Sequence, residues 1–293
     1  MKSLPILILS ILISTTAYSQ DSIKLWKVEE ISSLVFNQSS FLNWAAGGEN
    51  ALSFAALIDF SAIRETKKSK WNNTVNLAYG VQRSEQEFFP TRKNQDRIEL
   101  NSAYGFKTNN KNTTIEALGN FKSQFIDGYK FTDTSRVSVS NFLAPGYVLL
   151  SVGVGQIITE GVHAYLSPAT GKITIVKDQF LADKGAYGVD TGANIRYELG
   201  AYFTLNIKRN ILENVAFSSR LDLFASYQNF NGIDANWEAG LNFQVNKLLS
   251  ATVATTLIYD EDIIITDKDG LNPAPRVQFR EIFGLSLTYK LSN

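Results

Sequence analysis

Strict alternation of apolar and polar residues is the feature that most constrains what this chain can fold into. In residues 235–245 the alternating apolar positions are Ala235, Trp237, Ala239, Leu241, Phe243 and Val245. The positions between them are Asn236, Glu238, Gly240, Asn242 and Gln244. A second run, residues 249–259, has the same pattern after an interruption at 246–248. A period of two residues predicts β-strands with one apolar face and one polar face.

The same pattern recurs along most of the chain. Clear runs are residues 52–61, 71–82, 98–106, 115–125, 195–207, 217–227 and 277–289, and weaker ones are 33–44, 144–157 and 161–166. After the N-terminal leader, no stretch approaches the 18 or so consecutive apolar residues that a transmembrane helix needs. The sequence therefore predicts an all-β fold of about twelve antiparallel strands.

The connections between these strands alternate between short and long. The short ones are 65–70, 108–112, 159–161, 208–214 and 246–248, and the long ones are 84–95, 127–143, 167–188 and 261–275. Segments 45–49 and 230–234 break the rule. Outer-membrane barrels have short turns on one rim and long loops on the other. The spacing thus predicts a closed antiparallel transmembrane β-barrel in the outer membrane.

The apolar face of each strand is expected to contact lipid. A soluble barrel would turn the same face inward and present Asn, Gln and Ser to water. Glycines occupy the polar face at 80, 105, 200, 240 and 284, where a crowded interior needs small residues. Aromatic residues such as Trp71, Tyr197 and Tyr289 lie near strand ends on the apolar face, as in the aromatic girdles of membrane barrels.

The N-terminus has the features of an export signal. Lys2 precedes an apolar run of ten residues, 4–13, and small residues follow. We expect residues 1–20 to be a signal peptide and 21–293 the barrel domain. The chain has no cysteine, which excludes disulfides and a lipid-modified N-terminal cysteine. Its 28 basic and 28 acidic residues balance, so no nucleic-acid partner is expected.

Six segments resemble the landmarks of an uncharacterised outer-membrane β-barrel family of Bacteroidota-type bacteria, catalogued as a domain of unknown function. They are FLNWAAGGENALSF (41–54), FLAPGY (142–147), SPATGKITIV (167–176), NWEAGLNFQVNKLLS (236–250), LIYDEDI (257–263) and QFREIFGLSLTYKL (278–291). The resemblance implies the fold and the location, and it brings no activity.

Sequence signals for catalysis or metal binding are weak. His163 is the single histidine, and Ser167 is the nearby serine that a lipid hydrolase would need. No G-x-S-x-G motif supports that pair, and an interfacial side chain is the simpler interpretation. Residues 267–272, DKDGLN, resemble the start of a calcium loop but lack its third aspartate and closing glutamate. We therefore expect no enzyme, no cofactor and no metal.

Charged residues on the polar face are the best candidate site, and they include Asp59, Glu99, Glu116, Lys122 and Asp260. The lumen network is predicted to contain Arg196, Glu198, Arg220, Asp222, Glu238 and Arg280. Such charges either pair with one another as filler that holds the barrel shape or line a water-filled path, and the mixed signs leave both open. The assumed hairpin registers are Ile207 opposite Val215, Asn229 opposite Ala235 and Glu238 opposite Thr256. They place Arg196, Ser226 and Glu238 in one row, which predicts an Arg196–Glu238 pair.

Three functions remain open at this point. The first is a narrow pore or transporter for small solutes, and the second is a structural or interaction barrel with a filled lumen. A membrane-embedded lipid-modifying enzyme is the third. The expected partners are outer-membrane lipid and, during insertion, the barrel-assembly machinery, with the protein itself a monomer.

Overall fold

The computed structural model describes residues 25–40, 50–85, 88–132, 134–229, 232–265 and 272–293. The predicted signal peptide and residues 267–271 of the weak calcium-loop match lie outside the described residues. The strands, numbered in chain order, are β1 (Trp26–Ser39), β2 (Ala51–Glu65), β3 (Ser69–Ser84), β4 (Thr91–Lys107), β5 (Thr113–Ser123), β6 (Gly128–Phe131), β7 (Arg136–Ser140), β8 (Gly146–Thr159), β9 (Val162–Ile175), β10 (Ile195–Leu212), β11 (Val215–Ser226), β12 (Ile233–Gln244), β13 (Leu249–Tyr259), β14 (Ile264–Ile265), β15 (Ala274–Pro275) and β16 (Gln278–Ser292).

Twelve of these strands form one closed antiparallel barrel. The order around the barrel is β1, β2, β3, β4, β5, β8, β9, β10, β11, β12, β13 and β16, which pairs with β1 again. The pairing of β16 with β1 runs from Glu29 opposite Ser292 to Phe36 opposite Leu285. The predicted closed barrel and its strand number are confirmed.

The apolar faces of the strands point out of the barrel, as predicted. Three consecutive residues of β10 show the contrast: Tyr197 is 67% exposed, Glu198 4% and Leu199 66%. A polar side chain inside and large apolar side chains outside are the reverse of a soluble barrel and the normal arrangement in lipid. The exterior is therefore the lipid-facing surface of a membrane barrel.

Aromatic residues form a cluster on the outer surface at the short-turn rim. Trp71 packs against Trp26 with ring centroids 5.4 Å apart and against Tyr104 at 6.1 Å. Tyr104 in turn contacts Phe106 at 4.9 Å. The indole nitrogen of Trp71 donates a hydrogen bond to Ser102. Amphipathic rings of this kind fix the depth of a barrel at the membrane–water boundary.

Short and long connections lie on opposite rims, but several predicted boundaries were wrong. The largest error concerns 167–188, predicted as a loop, because β9 continues to Ile175. Its Ser, Pro and Gly content is typical of a turn, yet Pro168 lies where the pairing of β9 with β8 and with β10 shifts register. A β-bulge tolerates proline because the bulged residue makes no ladder hydrogen bond. Similarly, β4 begins at Thr91 and β10 ends at Leu212, which shortens both neighbouring connections.

Two long loops pack together into a small cap on the long-loop rim. The first carries the β6–β7 hairpin, and the second carries a short helix, α1 (Gln179–Ala182). Their shared apolar core consists of Ala144, Val176, Leu181, Ala182 and Val189. The Tyr187 hydroxyl donates a 2.6 Å hydrogen bond to the Val139 carbonyl, and burial raises the pKa of Tyr187 to about 12. No described helix has the length and apolar character to cross a membrane.

Candidate functional site: the barrel lumen

Ion pairs cross the lumen between β4 and the opposite wall. Arg220 of β11 contacts Glu99 of β4 at 2.8 Å and Asp222 of its own strand at 2.9 Å. Lys122 of β5 lies 3.7 Å from Glu99 and 3.8 Å from Asp222. Since β4 and β11 are five strands apart in the barrel order, this cluster ties nearly opposite walls together.

Two further contacts extend the crossing toward the long-loop rim. Arg97 of β4 lies 3.4 Å from Glu238 of β12. Arg280 of β16 donates to Gln95 of β4 at 3.3 Å. We call the six residues joined by these ion pairs the transverse bridge; they are Arg97, Glu99, Lys122, Arg220, Asp222 and Glu238. It divides the lumen lengthwise into two unequal compartments.

The compartment bounded by β5, β8, β9 and β10 is filled with side chains. Tyr165, Tyr202 and Phe224 form a buried cluster, and Leu118 and Leu149 pack against it. The Tyr202 hydroxyl donates to Asp222 at 2.7 Å, and Ser151 and Tyr165 share a 2.9 Å hydrogen bond. Aromatic rings with satisfied hydroxyls close this side of the lumen at mid-height. Toward the short-turn rim, a second cavity of about 760 Å³ borders Glu160, Lys208 and Ala216.

The compartment on the other side of the bridge is open. It holds a cavity of about 880 Å³ bounded by β1, β2, β12, β13 and β16. Its lining extends from Asn246 and Lys247, at a short turn, to Ser39 and Ala51, where β1 and β2 meet the opposite rim. Small or neutral residues predominate, among them Ser33, Ser53, Ala55, Asn242, Ser250, Thr252, Ala254, Gly284 and Ser286. We call this cavity the side passage.

A second ion-pair group lies at the long-loop end of the lumen. Lys172 of β9 contacts Asp234 at 2.6 Å and Glu198 at 3.5 Å. Arg196 contacts Glu198 at 3.0 Å and Asp262, in the loop after β13, at 2.6 Å. We call these five residues the mouth cluster. It anchors the loop that follows β13 to the barrel wall.

Asp260 lies beside the mouth cluster in the same loop. Burial, reinforced by the negative charge of Asp234, raises the pKa of Asp260 from 3.8 to about 6. Lys172 opposes this increase. The carboxyl group also accepts a 2.9 Å hydrogen bond from the Asp262 backbone amide. This loop residue therefore changes charge close to physiological pH.

All but one of the predicted site residues fall into these two groups. Arg220, Asp222 and Glu238 belong to the transverse bridge, and Arg196 and Glu198 belong to the mouth cluster. Arg280 belongs to neither group and pairs with Gln95 instead. Sequence reasoning missed Gln95, Arg97, Lys172, Asp234 and Asp262. Arg97 immediately precedes the predicted start of its strand, and Lys172 lay in a predicted loop, so correct strand limits would have placed both on the inner face.

The predicted Arg196–Glu238 pair is wrong. Glu238 is opposite Arg220, and Ser226 is opposite Gly200, so the three residues share no row. The assumed pairing of Ile207 with Val215 fails because β10 runs to Leu212 and Ile207 is opposite Ser219. The β12–β13 register was predicted correctly, with Glu238 opposite Thr256.

His163 and Ser167 do not form a catalytic pair. His163 Nε2 lies 3.2 Å from Glu116 Oε1, across β8 in the lumen. Ser167 is fully buried and donates to the Val152 carbonyl at 2.8 Å. Within the described ranges there is also no group of three or more His, Cys, Asp or Glu residues arranged to hold a metal ion.

Comparison with known proteins adds a family match and distant structural similarity. Residues 36–129 match a family described as a protein of unknown function, DUF3078. This agrees with the predicted relationship to a family of unknown function, and the Bacteroidota-type origin stays a prediction. No curated protein matches the chain.

Several solved outer-membrane proteins are similar in structure at low identity. An outer-membrane channel from Pseudomonas putida F1 is 11% identical with a TM-score of 0.44, over 93% of this chain and 97% of that one. The translocator domain of the autotransporter NalP from Neisseria meningitidis is 8% identical with a TM-score of 0.38, over 91% and 89%. OmpT, an outer membrane protein of Vibrio cholerae, is 6% identical with a TM-score of 0.34, over 91% and 97%. The fold assignment rests on the chain's own strand pairing and apolar exterior, which are those of an outer-membrane barrel.

Proposed function

We propose that this protein is a narrow pore for small polar solutes in the outer membrane. The observation that carries the proposal is the side passage, whose lining reaches from the short-turn rim to the opposite ends of β1 and β2. A lumen retained only as structural filler has no need for a cavity of about 880 Å³. Its serine, asparagine and threonine side chains supply hydrogen bonds to water and to polar solutes.

The transverse bridge supports the same proposal by forming one wall of the passage. It confines solutes to the strip between the bridge and the wall formed by β1, β2 and β16. Long arginine side chains held by carboxylates are less free to move than exposed ones, because each contact fixes the geometry of a guanidinium group. We expect a small and steady conductance from such a path.

The test is single-channel recording of the purified full-length protein in planar bilayers. Discrete conductance steps in proportion to inserted protein are expected. A matched variant, Ala55→Trp, places a large ring in the side passage and is expected to lower the step size. Correctly folded protein that inserts and gives no steps would contradict the proposal.

A structural barrel is the second candidate, and the filled compartment favours it. Tyr165, Tyr202 and Phe224 block their half of the lumen, as expected of a barrel that resists collapse. Under this alternative Ala55→Trp changes stability but no conductance is recorded. We propose no catalytic role. We further propose a monomeric state, lipid as the surrounding partner and insertion by the barrel-assembly machinery.

A further inference from the structure

We propose that the side passage selects small anions and that Arg280 is the residue that recognises them at a narrow point. This inference rests on the proposed pore function and adds the solute class. Arg280 of β16 reaches Gln95 of β4 at 3.3 Å, although β1, β2 and β3 lie between those strands in the barrel. Both residues line the cavity, so their hydrogen bond spans the passage.

The hydrogen bonds of Arg280 are made to neutral groups. Its two terminal nitrogens donate to the Gln95 amide oxygen and to the Thr256 hydroxyl, each at 3.3 Å. In the part of the chain that the structure describes, no carboxylate lies within 4.0 Å of this guanidinium. Arg97, Arg196 and Arg220 differ in this respect, since each contacts a carboxylate.

The charge of the Arg280 guanidinium determines which solutes can displace the Gln95 amide from it. A guanidinium stays protonated throughout the physiological pH range, and its hydrogen bonds to anions are shorter and about twice as strong as those to neutral acceptors. An anion in the passage therefore competes favourably with the Gln95 amide. A cation meets electrostatic repulsion at the same point.

The remaining charges of the passage favour anions as well. Its inward-facing charged residues in the described ranges are Arg280, Lys247, Lys290 and Asp59. Lys290 is paired with Glu29 at 2.8 Å, and Asp59 accepts a 2.6 Å hydrogen bond from Asn76. Glu281 also borders the cavity, but it alternates with Arg280 and so lies on the outward-facing side of β16. Positive charge thus exceeds negative charge along the path, with Lys247 at one end and Arg280 near the other.

The test measures reversal potential in planar bilayers under a potassium chloride gradient. Wild-type protein is expected to show the sign of chloride permeation. Arg280→Gln should lower the ratio of chloride to potassium permeability severalfold. It should also raise the conductance, because the side chain that crosses the passage becomes shorter and neutral. Arg280→Lys should keep the preference. Arg83→Gln is the matched control, because Arg83 is exposed on the outward face at the same rim and its loss should change neither quantity.

The outcomes separate this inference from the pore itself. Steps with a cation preference, or an Arg280→Gln variant with unchanged selectivity, would overturn the anion proposal and leave the pore standing. Folded, inserted protein without steps would overturn both. If Arg280→Gln does not fold, Gln95→Ala tests the same contact. It should raise the conductance and retain the anion preference, because Arg280 is still present. Loss of the anion preference in Gln95→Ala would count against Arg280 as the selective residue.

Discussion

At the residue scale, Glu99 shows how a charge buried in the lumen is compensated by its neighbours. It is 3% exposed and lies within reach of Arg220 and Lys122, and the Asn120 side chain donates to it at 3.1 Å. A carboxylate removed from water costs several kcal/mol of free energy unless partners of this kind compensate. The bridge is therefore a set of mutually dependent charges whose members cannot be removed singly without cost.

Arg220→Ala is expected to destabilise the barrel strongly. The variant leaves Glu99 and Asp222 buried with Lys122 as their remaining cation partner, at 3.7 and 3.8 Å. Loss of one partner of a buried ion pair costs about 3–5 kcal/mol. The double variant Arg220→Ala with Glu99→Gln should recover part of this loss. Urea unfolding of the refolded protein, followed by gel mobility, measures both. Additive effects of the two changes would show that Glu99 and Arg220 are energetically independent.

Asp260 gives a prediction about pH. Its pKa in the folded protein, about 6, exceeds the ordinary 3.8, so the folded state binds the proton more tightly than the unfolded state. Stability therefore falls as the pH rises from about 4 through about 6. Asp260→Asn should remove this loss and be more stable than wild type at pH 7.5 by about 1–2 kcal/mol, after allowance for solvent screening.

The two proteins should be equally stable at pH 4, where Asp260 is largely protonated. Urea unfolding at both pH values is the measurement. A difference at pH 4 that equals the difference at pH 7.5 would mean that the carboxylate charge is not the cause.

At the element scale, the two faces of a strand differ in what they tolerate. Ile58 lies at the centre of β2 and faces lipid, whereas its neighbour Leu57 lines the side passage. Ile58→Arg should cost about 2–4 kcal/mol, because a charge near the bilayer midplane is poorly solvated. Leu57→Arg should cost clearly less, since its guanidinium reaches water. Equal costs in lipid-refolded protein would argue against a wet passage.

Strand faces were predictable from the sequence, and pairing registers only in part. Alternation fixes which residues share a face, and a short turn fixes a register. The β12–β13 pairing shows this, because the Asn246 side chain accepts hydrogen bonds from the Leu248 and Leu249 amides at 2.8 Å. The register of β10 with β11 was not predictable, because a bulge near Leu212 displaces it.

Contacts across the lumen were beyond prediction for another reason. The Arg97–Glu238 pair joins residues 141 positions apart on strands that lie opposite each other in the barrel. Nothing local in the sequence specifies that proximity. It depends on the cross-section of the barrel, which follows from all twelve registers together.

For the whole molecule, the closed hydrogen-bonded barrel is expected to resist unfolding by detergent. Every barrel strand has two paired neighbours, so no strand edge is available to detergent or to another chain. We expect unboiled protein in dodecyl sulfate to migrate faster than boiled protein, because the closed barrel stays compact until heated. A single mobility before and after boiling would contradict a stably closed barrel.

The seam between β1 and β16 joins the first and the last strand of the barrel, and this has a consequence for biogenesis. Ser33 and Thr288, which share a 3.1 Å hydrogen bond there, are 255 positions apart. Closure therefore has to wait until β16 has been synthesised and exported. A chain truncated before Gln278 would present β1 and β13 as open edges in lipid, where unpaired peptide groups cannot be hydrated. We expect envelope proteases to clear such a product, because it lacks β16, the fifteen-residue strand that closes the barrel.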